Sequence, residues 1–446
     1  MFSTIKNAFN IPELRKRIYF TLFLLIVFRF GAHIPVPGLS ADAMKQFLGN
    51  GGMDLFSMFD VFTGGAFSNA TVMALGVSPY INASIIIQLL TVAIPSLERL
   101  SKEGVEGRKK INKITRYVGI ILAFVQAAGL YVTLHNMGVQ YPGLNPIENE
   151  GVLSFFVIVL TFVAGTAFIM WLGELITEKG LGNGVSMIIY AGIVAAIPSG
   201  IVAIYNQYLD PAVISVKGVV IAIAIAVVAV LAISLVVLFN SAERKIPVQY
   251  AKRVVGRKMY GGQSTNIPIK VVSGGVMPII FASSIMAFPA TIVRLMSGGN
   301  IPTSGIWNKV LGCLSAGLST EWWTYLVYAV LYFLLILFFT YFYSSIQFNP
   351  IELANNMKKS GGFIPGYRPG KPTSDYISKI SKRLNFTGAL FLGVIAVLPI
   401  VVGAIFGIQG LQIGGTSLLI MEGVALETVQ QLESQMMMRH YKGFLE

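Results

Sequence analysis

The sequence predicts an all-α polytopic membrane protein, with ten transmembrane helices arranged as two inverted five-helix halves. Three observations lead there. Over 446 residues the chain is 54% hydrophobic and only 12% charged, with a mean hydropathy of +0.71; soluble domains carry about 25% charged residues. Runs of about 20 apolar residues, each able to cross about 30 Å of hydrocarbon as a helix, recur along the whole length. Finally, two distant segments are nearly the same: Gly76 to Ser84 reads GVSPYINAS and Gly275 to Ser283 reads GVMPIIFAS, with six of nine positions matching.

The ten runs lie at Ile18 to Ile34, Thr71 to Ile94, Ile114 to Leu134, Val152 to Leu175, Val185 to Ile204, Val213 to Phe239, Gly274 to Met296, Trp322 to Tyr343, Phe386 to Phe406 and Leu411 to Val429. The first is too long for a signal-peptide core and no small-residue cleavage site follows it, so it is expected to be retained. Lys and Arg set the orientation, because cytoplasmic loops hold their excess. With the N-terminus inside, the inner segments carry 28 of the 33 Lys and Arg, and the outer loops carry only Lys45, Lys217, Arg294 and Lys309. Both termini are therefore expected in the cytoplasm, and Arg29 falls within the first span.

Ten spans divide into units of five, residues 1–206 and 207–446. Five is odd, so the second unit starts on the opposite side and the halves are inverted. The paired motif then occupies the second span of each half, and a weaker pair occupies the last: NGVSMII from Asn183 and GGTSLLI from Gly414. Gly and Ser at such places serve close helix packing in bilayers. Interrupted spans at corresponding positions of two halves also point to a pathway or binding site. Two matched pairs favour a shared central site.

The residues beside those small positions, Val77, Ile81, Ile189, Ile280 and Ile420, are aliphatic. An aliphatic constriction excludes water and ions by dewetting, although the same residues would serve as ordinary helix packing. No Asp lies in any span, and Glu422 and Glu427 fall toward the inner end of the last. Ion and proton transporters place such charges within their spans, so a secondary transporter or lipid flippase, the alternative on an inverted architecture, is disfavoured. Between the first two spans, Gly51 to Ala70 reads as a short amphipathic helix with Leu55, Met58, Phe59 and Phe62 on one face and Asp54, Ser57 and Asp60 polar, ended by Gly64 and Gly65. It would lie on the outer membrane surface or fold back into a pore.

Catalytic chemistry finds little support. His33, His135 and His440 form no H-E-x-x-H pair. The stretch PGYRPGKPT around Arg368 lacks the first glycine of a phosphate loop and has Pro372 where Ser or Thr would hold magnesium. The single cysteine, Cys313, excludes an internal disulfide and a cysteine metal cluster. No enzyme, metal or cofactor is expected. Two long inner loops, residues 241–270 and 344–384, carry seven Lys or Arg each among Gly, Pro and aromatic residues. Part of that charge enforces topology and attracts anionic lipid; the loop length and turns suggest docking to a macromolecule, including RNA read through phosphate.

The motifs GVSPYINASIIIQLLT from Gly76, EGRKKINKITRY from Glu106, MWLGELITEKGLGNGVS from Met170, YAKRVVGRKMYGGQST from Tyr250, PIIFASSIMAFPATI from Pro278, NNMKKSGGFIPGYRPG from Asn355 and GGTSLLI from Gly414 resemble the SecY/Sec61-alpha family, its bacterial members most closely. The resemblance covers essentially the whole chain. It implies an hourglass protein-conducting channel of the bacterial plasma membrane, with a seam between the halves that opens to lipid. It implies a pore ring at Val77, Ile81, Ile189, Ile280 and Ile420, where Val77 is smaller than the isoleucine expected. It implies a plug in about residues 54–67, including Asp54, Leu55, Phe56, Met58, Phe59, Phe62, Gly64 and Gly65, and a lateral gate at Asn82, Gln88 and Phe288. It further implies partner contacts through Arg257, Lys258 and Arg368, with SecE, SecG, the SecA ATPase, the ribosome, preprotein or signal-sequence substrates and membrane lipid as partners.

Overall fold

The computed structural model describes every residue except 1–6, 50–59, 61–62, 141–144, 149–150, 206–215, 251–252, 256–257, 261–263, 273, 297–309, 311, 315–321, 407–410 and 441–446. Thirteen helices of eight or more residues form nearly all of it: α1 (Pro12–Gly31), α2 (Ala41–Gly49), α3 (Ser78–Ala93), α4 (Pro95–Lys102), α5 (Val105–Gln140), α6 (Val152–Lys179), α7 (Gly184–Ile204), α8 (Val216–Asn240), α9 (Met277–Met296), α10 (Trp322–Gln347), α11 (Pro350–Lys359), α12 (Lys371–Phe406) and α13 (Leu411–His440). Each predicted span has a helix in its place. Among the described residues six are long and apolar enough to cross a membrane alone, and α3 with α4 makes a seventh if the 100° bend between them lies within one span. Of the other three, α1 and α13 carry charge within their apolar runs, at Arg29 and at Glu422 and Glu427, and α9 is apolar over Met277–Pro289.

The helices pack as two sets of five with one pattern. In the first set (α1, α3, α5, α6, α7) the second packs on the third, the third on the fourth, the fourth on the fifth, and the first on the fourth and fifth. The same pairings recur in the second set (α8, α9, α10, α12, α13). A continuous apolar core joins the two, running from Leu24 and Phe28 through Ile169, Ile188 and Ile189 to Ile280, Tyr332, Ile336, Leu392 and Ile420. A second core, including Val36, Leu39, Phe67, Leu134, Ile147 and Phe162, closes one end of the first set.

Hydropathy misplaces two helix starts. The runs from Thr71 and Gly274 become helical only at Ser78 and Met277, because Gly76 and Gly275 sit in the left-handed region at φ +56° and +57°, a conformation glycine adopts without a Cβ penalty. Pro79 and Pro278 follow in the first helical turn, where the missing N–H is not needed. The carbonyls of Val77 and Val276 accept the first bonds of each helix, from Tyr80 N and Ile81 N at 3.0 Å and from Ile279 N and Ile280 N at 3.1 and 3.2 Å. The glycine and proline of the repeat therefore start helices of 16 and 20 residues rather than bend longer ones. Helices α5 and α12 depart the other way: at 36 residues each they run about 54 Å, well past the hydrocarbon.

The long basic loops are structured. Strand β1 (Glu243–Tyr250) pairs antiparallel with β4 (Ser264–Lys270) and with β5 (Gly362–Phe363), giving a sheet of order β4-β1-β5; β2 (Arg253–Val255) pairs with β3 (Lys258–Tyr260). Ile246 and Val248 alternate with exposed neighbours and close on Ile269, Met357, Ile364 and Ile377. The chain is thus mostly helical with a small sheet that helix counting overlooks, and the second loop supplies α11, capped by the Asn349 side chain, and the first turns of α12.

Candidate functional site at the junction of the halves

The two sets of helices meet along two lines. On one, α9 packs against α3 and α5; on the other, α7 packs against α13. Between them lies a cavity of about 60 Å³, room for only a few water molecules. All five aliphatic candidates line it: Val77 before the first turn of α3, Ile81 within it, Ile189 on α7, Ile280 on α9 and Ile420 on α13. Ile420 is 1% exposed and Val77, Ile189 and Ile280 are 5–6% exposed. Four helices and both sets thus contribute to one apolar surface.

Local structure explains why these residues converge. Both α3 and α9 begin beside the cavity, so Ile81 and Ile280 project from their first turns. Helix α7 starts at the Asn183 cap, whose side-chain carbonyl accepts from Val185 N at 3.1 Å and Ser186 N at 3.4 Å, and brings Ile189 in one turn later. On α13, Gly423 lies so close to α9 that a Cβ there would sit 1.9 Å from Val276 Cγ1. That approach seats Ile420 beside the start of α9.

The remaining candidates divide. Asn82 and Phe288 face the same cavity from α3 and α9, along the line where those helices pack. Gln88 does not line it: its amide donates to Ser84 Oγ one turn back, at 3.1 Å. Arg368 is exposed in the turn before α12; Thr373 Oγ1 donates to its carbonyl at 2.8 Å, and Tyr367 stacks on Tyr376 at 4.1 Å between ring centres. Lys258 begins β3, while Arg257 lies outside the described residues. Asp54, Leu55, Phe56, Met58, Phe59 and Phe62 also lie outside them. Gly64 and Gly65 are both left-handed, at φ +65° and +86°, in the turn that leads toward α3.

Sequence reasoning missed the polar part of the lining, contributed by Thr63, Ser78, Gln126, Ser283 and Ser284. Gln126 left a signal: it is the one polar side chain between Val118 and Leu130. Arg29, within the first predicted span, donates from Nη1 to the Gly64 carbonyl. Glu422 is 7% exposed between α8 and α13, where its Oε2 accepts from Asn240 Nδ2 at 3.3 Å; its place is structural rather than interfacial.

The chain matches the SecY family model over residues 71–429. It belongs to the SecY family. A protein translocase subunit SecY of Mycobacterium bovis is 45% identical over 456 residues, with all of both chains covered. That of Halalkalibacterium halodurans is 46% identical over 449 residues, again with full coverage of both. Solved structures share the SecY fold at lower identity. One described as a protein conducting channel superposes with a TM-score of 0.67 at 19% identity, covering 94% of this chain and 91% of its own. Sec61 in a canine ribosome-channel complex gives 0.63 at 19% identity with the same coverage. The fold class read from the sequence, a polytopic helical membrane protein, is that of these channels.

Proposed function

We propose that this protein is the channel-forming subunit of a protein translocase, passing unfolded polypeptides across the plasma membrane and releasing apolar segments sideways into lipid. The observation that carries this reading is the convergence of Val77, Ile81, Ile189, Ile280 and Ile420, from both sets of helices, on one narrow cavity. A ring of aliphatic side chains seals by dewetting yet deforms around a chain of any sequence, since it offers no fixed hydrogen bond to satisfy. The line where α3 and α5 pack on α9, with Asn82 and Phe288 facing the cavity, supplies a lateral exit. An apolar segment of about 20 residues gains by leaving through it, whereas a polar one does not.

On this reading the halves are residues 1–206 and 207–446, ten spans in inverted arrangement around an hourglass, with both termini in the cytoplasm. The segment around residues 54–67 is the plug, and Gln88 belongs to the gate helix without facing the cavity. The subunit itself has no catalytic role, so the energy comes from partners. The exposed basic turn at Arg368 and the β2–β3 hairpin with Arg257 and Lys258 suit the SecA ATPase and the ribosome, and the apolar outer faces suit SecE, SecG and lipid. Support comes from the relatives named protein translocase subunit SecY and from the ribosome-bound Sec61 channel.

The test is site-specific crosslinking from Ile81, Ile189 and Ile280 to a preprotein arrested part-way through export. Adducts at all three positions are expected; their absence, with export intact, sinks the channel reading.

A further inference from the structure

The sheet built from the two basic loops is tied to the helix that carries Ile420. Helix α8 ends at Asn240, just before β1, and the first residue of β1, Glu243, stands opposite Lys270, the last of β4. Val271 N donates to the Ala242 carbonyl at 3.0 Å and closes the base of this strand pair. At that base both strands reach α13: Asn240 Nδ2 donates to Glu422 Oε2 at 3.3 Å, and Lys270 Nζ donates to Gln430 Oε1.

The two ties differ in kind. Lys270–Gln430 is exposed, where a hydrogen bond competes with water. Glu422 is 7% exposed, and its Oε1 has no hydrogen-bond partner among the described residues. A carboxyl buried at the inner end of a span is expensive to keep and marks function before packing. Pulling the base of β1 away costs Glu422 the bond that Asn240 gives it, a loss that burial makes expensive. One tie would leave the sheet free to turn about it; two, on adjacent strands, fix its orientation on α13. The apolar face of the sheet closes on Met357 of α11 and Ile377 of α12, and α13 contributes no residue to that cluster. Polar side chains therefore make the link to α13.

Along α13 the ties lead to the ring. Glu422 is two residues from Ile420, about 3 Å along the helix axis. Gly423, Glu427 and Gln430 follow Ile420 at spacings of three, four and three, along one face. That face lies on the start of α9: a Cβ on Gly423 would sit 1.9 Å from Val276 Cγ1, and one on Gly275 would sit 3.9 Å from Glu427 Oε2. Helix α13 also packs on α7 of the first set. A shift of α13 thus moves Ile420 against both Ile280 and Ile189.

Resting on the channel reading above, we propose that Glu422 is a positioning residue that, with Gln430, ties the base of the β1–β4 pair to α13, so that a partner docking on the sheet shifts Ile420 and loosens the aliphatic ring. Docking and opening are then separable: the sheet supplies the first, and the ties carry it to the second.

The experiment is export of a preprotein into proteoliposomes holding the purified complex, measured against rising concentrations of SecA, the ATPase proposed above as a partner. Rates are taken per bound SecA, so that a loss of folded channel does not register. Glu422→Met removes the acceptor and is expected to lower the maximal rate about tenfold, equivalent to about 1.4 kcal/mol, the scale of one buried hydrogen bond. The SecA concentration for half-maximal rate should stay at the parental value. Glu422→Gln keeps a carbonyl acceptor and should export at the parental rate; Lys270→Met should lose less than Glu422→Met, its tie being exposed. A parental maximal rate in Glu422→Met overturns the proposal, whatever happens to the half-maximal concentration. An equal loss in Glu422→Gln also overturns it, because the acceptor is then not the link. Absence of export by the parent counts against the channel reading itself and removes the inference with it. Should Glu422→Met fail to assemble, Asn240→Leu deletes the donor and Lys270→Met alters only an exposed side chain. A lower maximal rate in either, at unchanged half-maximal SecA, supports the tie; parental rates in both overturn it.

Discussion

Replacing Ile280 by asparagine puts the aliphatic seal to its most direct test. Ile280 is 5% exposed, and its side chain faces the cavity shared with Val77, Ile81, Ile189 and Ile420. Asparagine there places an amide among aliphatic side chains. A buried amide without partners costs about 1–3 kcal/mol in proteins, and water entering the cavity relieves that cost. The wet state is therefore favoured by the same amount, which is about 5-fold to 150-fold in population. The assay is single-channel conductance in planar bilayers, with at least a fivefold rise expected. Ile279→Asn is the paired control: Ile279 is 0% exposed and does not line the cavity, so its amide should lower stability without opening a path for ions. Parental conductance in Ile280→Asn, or equal leaks in the two variants, refutes the dewetting argument.

Three other substitutions follow from particular contacts. Arg368→Glu is expected to abolish ATP-driven export into membrane vesicles while the chain still folds, since Arg368 is exposed and its turn is held by the Thr373 bond and the Tyr367–Tyr376 stack; unchanged export rules out the docking role. Tyr332→Phe should raise stability by about 1 kcal/mol, because the Tyr332 hydroxyl is fully buried and has no hydrogen-bond partner among the described residues. A lower thermal midpoint for that variant would contradict this account of the core. Gly165→Ala should cost about 1–3 kcal/mol through overpacking, as a Cβ there would sit 1.9 Å from the Val72 carbonyl; a parental midpoint would mean that α6 can move away from the Val72 segment.

Hydropathy made the spans legible because it reports residue type, and it failed where conformation depends on a single dihedral. Thr71 and Gly274 open apolar runs as good as any other, yet the left-handed glycines five and one residues later delay helix formation to Ser78 and Met277. The aliphatic ring was legible through the internal repeat, which aligned Ile81 with Ile280 before any contact was known. Gln88 and Gln126 show the limit of position along a helix: Gln88 turns its amide back to Ser84, while Gln126, inside an aliphatic stretch, faces the cavity. The β1–β4 pairing was hidden by composition. Ile246 and Val248, and Ile267 and Ile269, alternate with a period of two, but the abundance of Lys and Arg drew attention to charge instead of pattern.

The repeat also shows where the halves have diverged. Both copies start a helix from a glycine near φ +57° with a valine carbonyl accepting the first bonds, so backbone geometry alone keeps glycine at each. Their surroundings differ. A Cβ on Gly76 would meet Thr63 at 2.7 Å, whereas one on Gly275 would find, among the described residues, only Glu427 Oε2, at 3.9 Å. In the first half Thr63 packs against the start of α3; in the second, that face lies beside α13 with room to spare. Gly76→Ala therefore meets both a backbone penalty and a clash, whereas Gly275→Ala meets the backbone penalty alone.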